Sequence, residues 1–192
     1  MKLNKLIDEV QLNEEAVDYE VRKIRVSDAA GLQEFSDFYN NSGELTWKLT
    51  PQRLKKKIGS KGKLWGLYVK ETGEMVGSIG LKHVNDGATV DIGEMGYAML
   101  HPDHRSLPNL MTIFKQAIRK ARAFDAVYVT TNTKNRTINK LLDRTPKLEK
   151  ILKIKSQFSN NLLYVHYVKN TGNEQNEEII RAYFKEHTLQ EF

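Results

Sequence analysis

The stretch EMGYAMLHPDHRSLPNLMTIFKQAIRKAR, Glu94 to Arg122, decides the fold. Glu94 to Leu100 suits a strand. A polar turn holding Pro102 and Pro108 follows, and then Leu110, Ile113, Phe114, Ala117, Ile118, Ala121 and Phe124 recur at helical spacing. Lys115, Gln116, Arg119, Lys120 and Arg122 take the opposite side, with the cations toward the C-terminus, where the helix dipole favours them. A strand that turns into a helix N-terminus presents free amides of partial positive charge, a natural seat for a phosphate-rich ligand. The turn from His101 to Leu110 is therefore the candidate site.

Outward from it, the pattern reads as one mixed domain. Tyr19–Val26 alternates as a first strand, and Ser27-Asp28 caps a helix over Ala29–Tyr39. Thr50-Pro51 opens a short helix that stops near Gly59. Leu64–Lys70 and Met75–His83 form a hairpin about a tight turn, and Ala88–Leu100 reads as a third antiparallel strand in two pieces around Gly93. Gly80, Gly93 and Gly96 inside strands mark bulges or close backbone approach. After the long helix, Val127–Thr131 is a strand whose natural partner, in parallel, is the strand before that helix. A short helix over Asn135–Asp143, strands over Ile151–Gln157 and Leu162–Val168, and an amphipathic helix over Glu174–Thr188 complete the chain. This gives a lead-in at 1–18, a domain at 19–170 and a tail at 171–192 that docks on its own domain or on a neighbour.

Composition narrows the chemistry. The 192 residues contain no cysteine, which excludes disulfides, thiolate metal sites and a cysteine nucleophile. Five scattered histidines argue against a metal site. No apolar run reaches the roughly 20 residues of a membrane span, and the acidic N-terminus lacks a signal-type apolar core, so an intracellular (cytoplasmic) protein is expected. The net charge of +6 is uneven. One basic cluster is Arg53, Lys55, Lys56, Lys57, Lys61 and Lys63; another is Lys134, Arg136, Lys140, Arg144, Lys147, Lys150, Lys153 and Lys155. Either suits a polyanionic partner or a solvated surface.

The order of elements, and the run Glu94-Met95-Gly96-Tyr97-Ala98-Met99-Leu100-His101-Pro102-Asp103-His104-Arg105, resemble the GNAT superfamily of acyl-CoA-dependent N-acetyltransferases over Tyr19–Lys169. The resemblance implies a mixed α/β fold. It has a central, mostly antiparallel twisted sheet of about six to seven strands, about four flanking helices and a C-terminal helix, with the fourth and fifth strands splayed apart. It implies acetyl-CoA as cofactor. The pantetheine arm would pair with main-chain groups of Met99, Leu100 and His101, one amide polarising the thioester carbonyl. The pyrophosphate would lie on Arg105, Ser106, Leu107 and Asn109. It makes Glu94 the general base that takes the proton from an attacking amine.

The chain departs from the family pattern at three places. Pro108 and Leu110 stand where small residues let the backbone approach the phosphates, and proline has no N–H to give. Leu142 stands where many members carry a tyrosine that protonates the leaving thiolate. Two readings follow: a divergent N-acetyltransferase acting by direct attack, or a catalytically silent protein of the same fold. The silent protein would be a structural or binding component, as in degenerate relatives among bacteriophage virion and accessory proteins, with its tail helix reaching a protein partner.

Overall fold

The computed structural model describes residues 17–41, 48–59, 61–85, 89–156, 161–169 and 175–187; most of the expected lead-in lies outside them. Seven strands form one sheet in the order β1-β2-β3-β4-β5-β7-β6. They are β1 (Tyr19–Ile24), β2 (Lys63–Val69), β3 (Met75–His83), β4 (Ile92–Leu100), β5 (Ala126–Asn132), β6 (Leu148–Lys155) and β7 (Leu162–Val168). Every pairing is antiparallel except β4 with β5, as a helical crossover between them requires.

The helices are α1 (Ala29–Asn41), α2 (Pro51–Ile58), α3 (Leu107–Lys120), α4 (Arg136–Asp143) and α5 (Asn176–His187). Their ends are set by capping side chains. Asp28 Oδ1 accepts from the amides of Ala30 and Gly31. Thr50 accepts from Arg53 N, Ser106 from Asn109 N, and Asn135 from Ile138 N.

Each face of the sheet buries apolar side chains. The main core lies under α3 and α4 and joins Leu67, Val76, Ile79, Leu81 and Met95 to Ile113, Phe114, Ala117, Val127, Val129 and Leu142. The other face carries two clusters. Over β1–β3, Phe35, Tyr39, Leu54 and Ile58 of α1 and α2 pack on Leu64, Tyr68 and Met75. Over β5–β7, Ile180 and Phe184 of α5 pack on Tyr128, Leu152 and Val165. The tail helix thus docks on its own sheet.

Two strands depart most from the reading of the sequence. β4 is a single strand from Ile92, and its irregularity falls at Tyr97 rather than at Gly93: Gly80 faces Gly96 and Ser78 faces Met99, so three steps on β4 oppose two on β3. β6 runs from Leu148 to Lys155, because an extra residue at Ile151 resets its alternation.

Candidate functional site

Two features of β4 create the site. The first is the bulge. Tyr97 has φ 54°, the only non-glycine with positive φ among the described residues, and such a residue costs about 1–2 kcal/mol unless held in place. Ser78 Oγ donates to Tyr97 O at 2.7 Å. The Tyr97 ring packs edge-on against Phe35 and Tyr39, with centroids at 6.2 and 5.2 Å. A Cβ on Gly80 would lie 2.8 Å from Tyr97 Cδ2, so glycine makes room for the ring.

The second feature is the parting of β4 from β5. The parallel register covers Ile92↔Ala126 to Met95↔Val129 and stops. β4 continues to Leu100 and β5 to Asn132 without pairing to each other. The gap is thus bordered by unpaired main chain. Its orientation is fixed by the far end of β4, where His101 N donates to Val76 O at 2.8 Å and His101 O accepts from His104 N. In an antiparallel ladder such pairs alternate, so the Met99 main chain also faces β3 while that of Leu100 faces the gap. Arg105 Nε donates to Leu100 O at 3.1 Å.

At the turn, Pro108 occupies the second position of α3 and offers no amide. The Asn109 amide is taken by Ser106 Oγ at 3.2 Å, and that of Leu110 by Ser106 O. Asn109 Nδ2 donates to His104 O. The main-chain donors that remain are Ser106 and Leu107, and the Leu107 side chain is 58% exposed. His104 Nδ1 lies 2.9 Å from Tyr19 Oη, and the His101 side chain accepts from Asp103 N. The gap thus presents unpaired main chain at Leu100, whereas the turn offers few free amide donors.

Glu94 stands on the opposite side of β4, between the α1/α2 cluster and the α5 cluster. Register puts it directly across from Lys82 on β3 and Tyr128 on β5. Its carboxylate pairs with the Lys82 ammonium, the two side chains being 20% and 24% exposed. Tyr128 Oη donates to Glu94 at 3.5 Å. Burial first, and then the Glu94 charge, push the Tyr128 hydroxyl well above its ordinary range, so it stays a donor. Burial, then Tyr39 and Glu94, do the same to Tyr97. On α2, Lys57 is pulled below its ordinary value by burial and by the nearby Lys82 and Arg53. The arrangement is a partly exposed carboxylate among phenols and lysines.

Lys82 and Tyr128 were the residues that the sequence alone did not assign to the site. A β3–β4 hairpin in register could have suggested Lys82, whereas Tyr128 depends on the parallel β4–β5 register. Leu142 is fully buried in the main core and offers no hydroxyl. Among the described residues, no three His, Asp or Glu side chains gather where they could hold a metal ion, and no helix is long and apolar enough to cross a membrane.

No protein-family model matches the sequence, and no curated protein sequence does. Solved structures do match. The ribosomal-protein-S18-alanine N-acetyltransferase from Escherichia coli aligns with TM-score 0.59 and 8% identity over 79% of this chain and 93% of its own. A GNAT-family acetyltransferase from Streptococcus pneumoniae gives 0.60 and 14% over 78% and 98%. Arabidopsis thaliana NAA60 in complex with acetyl-CoA gives 0.61 and 10% over 81% and 100%. The protein has the fold of the GNAT N-acetyltransferases. At these identities the likeness speaks for the fold alone.

Proposed function

We propose that this chain is an N-acetyltransferase that moves an acetyl group from acetyl-CoA to an amine by direct attack. The observation that carries the reading is the gap that opens past Met95↔Val129 beside a bulge at Tyr97. When bound, acetyl-CoA supplies an activated thioester. The Leu100 amide would pair with the pantetheine arm; of the three residues expected to do so, Met99 faces β3, and His101 has its amide on Val76 O and its carbonyl on His104 N. Arg105 and the amides of Ser106 and Leu107 hold the phosphates, with Asn109 bracing the turn through His104 O. The amine enters from the Glu94 side. As it displaces Lys82, the Glu94 carboxylate takes its proton, and the Tyr128 hydroxyl holds that carboxylate in place.

Calorimetry with acetyl-CoA, followed by thiol release in the presence of an amine panel, tests this. Millimolar affinity with turnover that Glu94→Gln slows by about 10²–10⁴ is the expected result. No heat at millimolar cofactor overturns it. That outcome would favour the second reading, a silent protein of the same fold, which the loss of amides at Pro108 and Asn109 supports.

A further inference from the structure

Residues 134–155 carry eight basic side chains against Asp143 and Glu149, an excess equal to the +6 of the entire chain. Strand register places three of them, Lys150, Lys153 and Lys155, on one face. All eight are exposed. Both acids are already engaged: Asp143 with Lys150 at 3.1 Å and with His166 at 3.4 Å, Glu149 with Lys169 at 2.6 Å. Lys134, Arg136, Lys140, Arg144, Lys147, Lys153 and Lys155 have no carboxylate partner among the described residues. The other basic cluster is less free, since Lys61 pairs with Asp91 and Lys63 lies over the Phe124 ring.

Register defines the geometry. Lys150 faces His166, Lys153 faces Tyr164 and Lys155 faces Leu162. Directly opposed residues share a face, and Asp143 reaches both Lys150 and His166, so this is the face that α4 occupies. β6 is the edge strand, and Leu162 and Tyr164 remain half-exposed beyond the helix. The Tyr164 ring has Lys150 Nζ 4.4 Å from its centroid and Lys153 directly across. An accessible aromatic ring inside a row of unneutralised cations offers both elements of sequence-tolerant single-strand recognition, backbone neutralisation and base stacking.

We propose that the α4–β6 face binds single-stranded nucleic acid, with the strand running along Lys155, Lys153, Arg144 and Lys147 and a base stacked on Tyr164. This does not rest on the acetyltransferase reading, because the surface shares no residue with the gap or with Glu94.

The test is fluorescence anisotropy of labelled twelve-nucleotide oligouridylate and oligothymidylate with the full chain, between 50 and 200 mM salt. At about 0.7 per phosphate contact, four or five contacts give a log–log salt slope near −3. Lys153→Glu with Lys155→Glu should weaken binding at least tenfold and flatten the slope by about 1.4. Lys55→Glu with Lys56→Glu, the same charge change on α2, should leave affinity within threefold. Tyr164→Leu should cost roughly tenfold without changing the slope. Thermal melts confirm that each variant folds, and the lysine variants carry the test if Tyr164→Leu does not. A preference for either sugar supports the proposal. No saturation at 50 mM salt, equal loss from both charge-reversed pairs, or capture by phosphatidylserine vesicles without oligonucleotide binding would overturn it.

Discussion

Replacing Pro108 with glycine should change stability and cofactor affinity in opposite senses. Proline at the second position of α3 suits the helix but removes one of the outward-pointing amides at its N-terminus. Glycine frees the unfolded chain, which costs about 0.4–1 kcal/mol. For a domain of this size that lowers Tm by about 1–4 °C. The restored N–H can then donate to a phosphate. A hydrogen bond to a charged group contributes about 1.5–3 kcal/mol, which is roughly 10- to 150-fold in Kd. Thr112 Oγ1 still donates to the carbonyl of residue 108, and Ser106 still caps Asn109, so the turn keeps its shape. Calorimetry with coenzyme A and a thermal melt read the two effects separately. A lowered Tm with coenzyme A affinity unchanged within twofold would refute the placement of phosphates at this turn.

Glu94→Gln should lower kcat by about 10²–10⁴ with KM little changed, because amide and carboxylate fill the same space but only one accepts a proton; steady-state kinetics across pH check this. Gly80→Ala should destabilise by about 1–3 kcal/mol, since its methyl would meet Tyr97 Cδ2 at 2.8 Å and Leu64 Cδ2 at 3.1 Å; urea unfolding measures it. His166 is fully buried, and its burial outweighs the pull of Asp143, so its folded pKa lies below its ordinary 6.5. The unfolded chain binds that proton more readily. The contribution of the neutral ring is therefore complete above about pH 6.5 and is lost as pH falls below it. Melts from pH 7.5 to 5 should show a declining Tm, and His166→Leu should flatten the decline.

Much of the fold could be read from local pattern. The Met75–His83 strand, the Thr50 cap and the parallel partner of β4 stand where periodicity and turn chemistry put them. The misread places share a cause. A bulge shifts alternation by one residue, so β6 looked three residues late and β4 appeared broken at Gly93. The actual irregularity uses a tyrosine in a left-handed conformation, which no propensity assigns to tyrosine; it is held by the Ser78 hydrogen bond, the room left by Gly80 and the aromatic packing of Phe35 and Tyr39 from a distant helix. The docking of α5 was equally hidden, because an apolar stripe such as Ile180 and Phe184 does not name the surface it covers. At the site, Glu94 was legible as a strand carboxylate, whereas its ties to Lys82 and Tyr128 depend on register across three strands.

The short β4–β5 register has a consequence for how the molecule is made. Among the described residues, the strand register that links the β1–β4 half to the β5–β7 half spans four residue pairs. The two halves are joined in sequence through the α3 crossover. Until that seam closes, each half carries a raw edge with apolar side chains, Met95 on one and Val127 and Val129 on the other. Unpaired apolar edges of this kind recruit strands from neighbouring chains. The same incomplete seam that opens a gap in the finished fold is thus the interval of greatest aggregation hazard while the fold assembles.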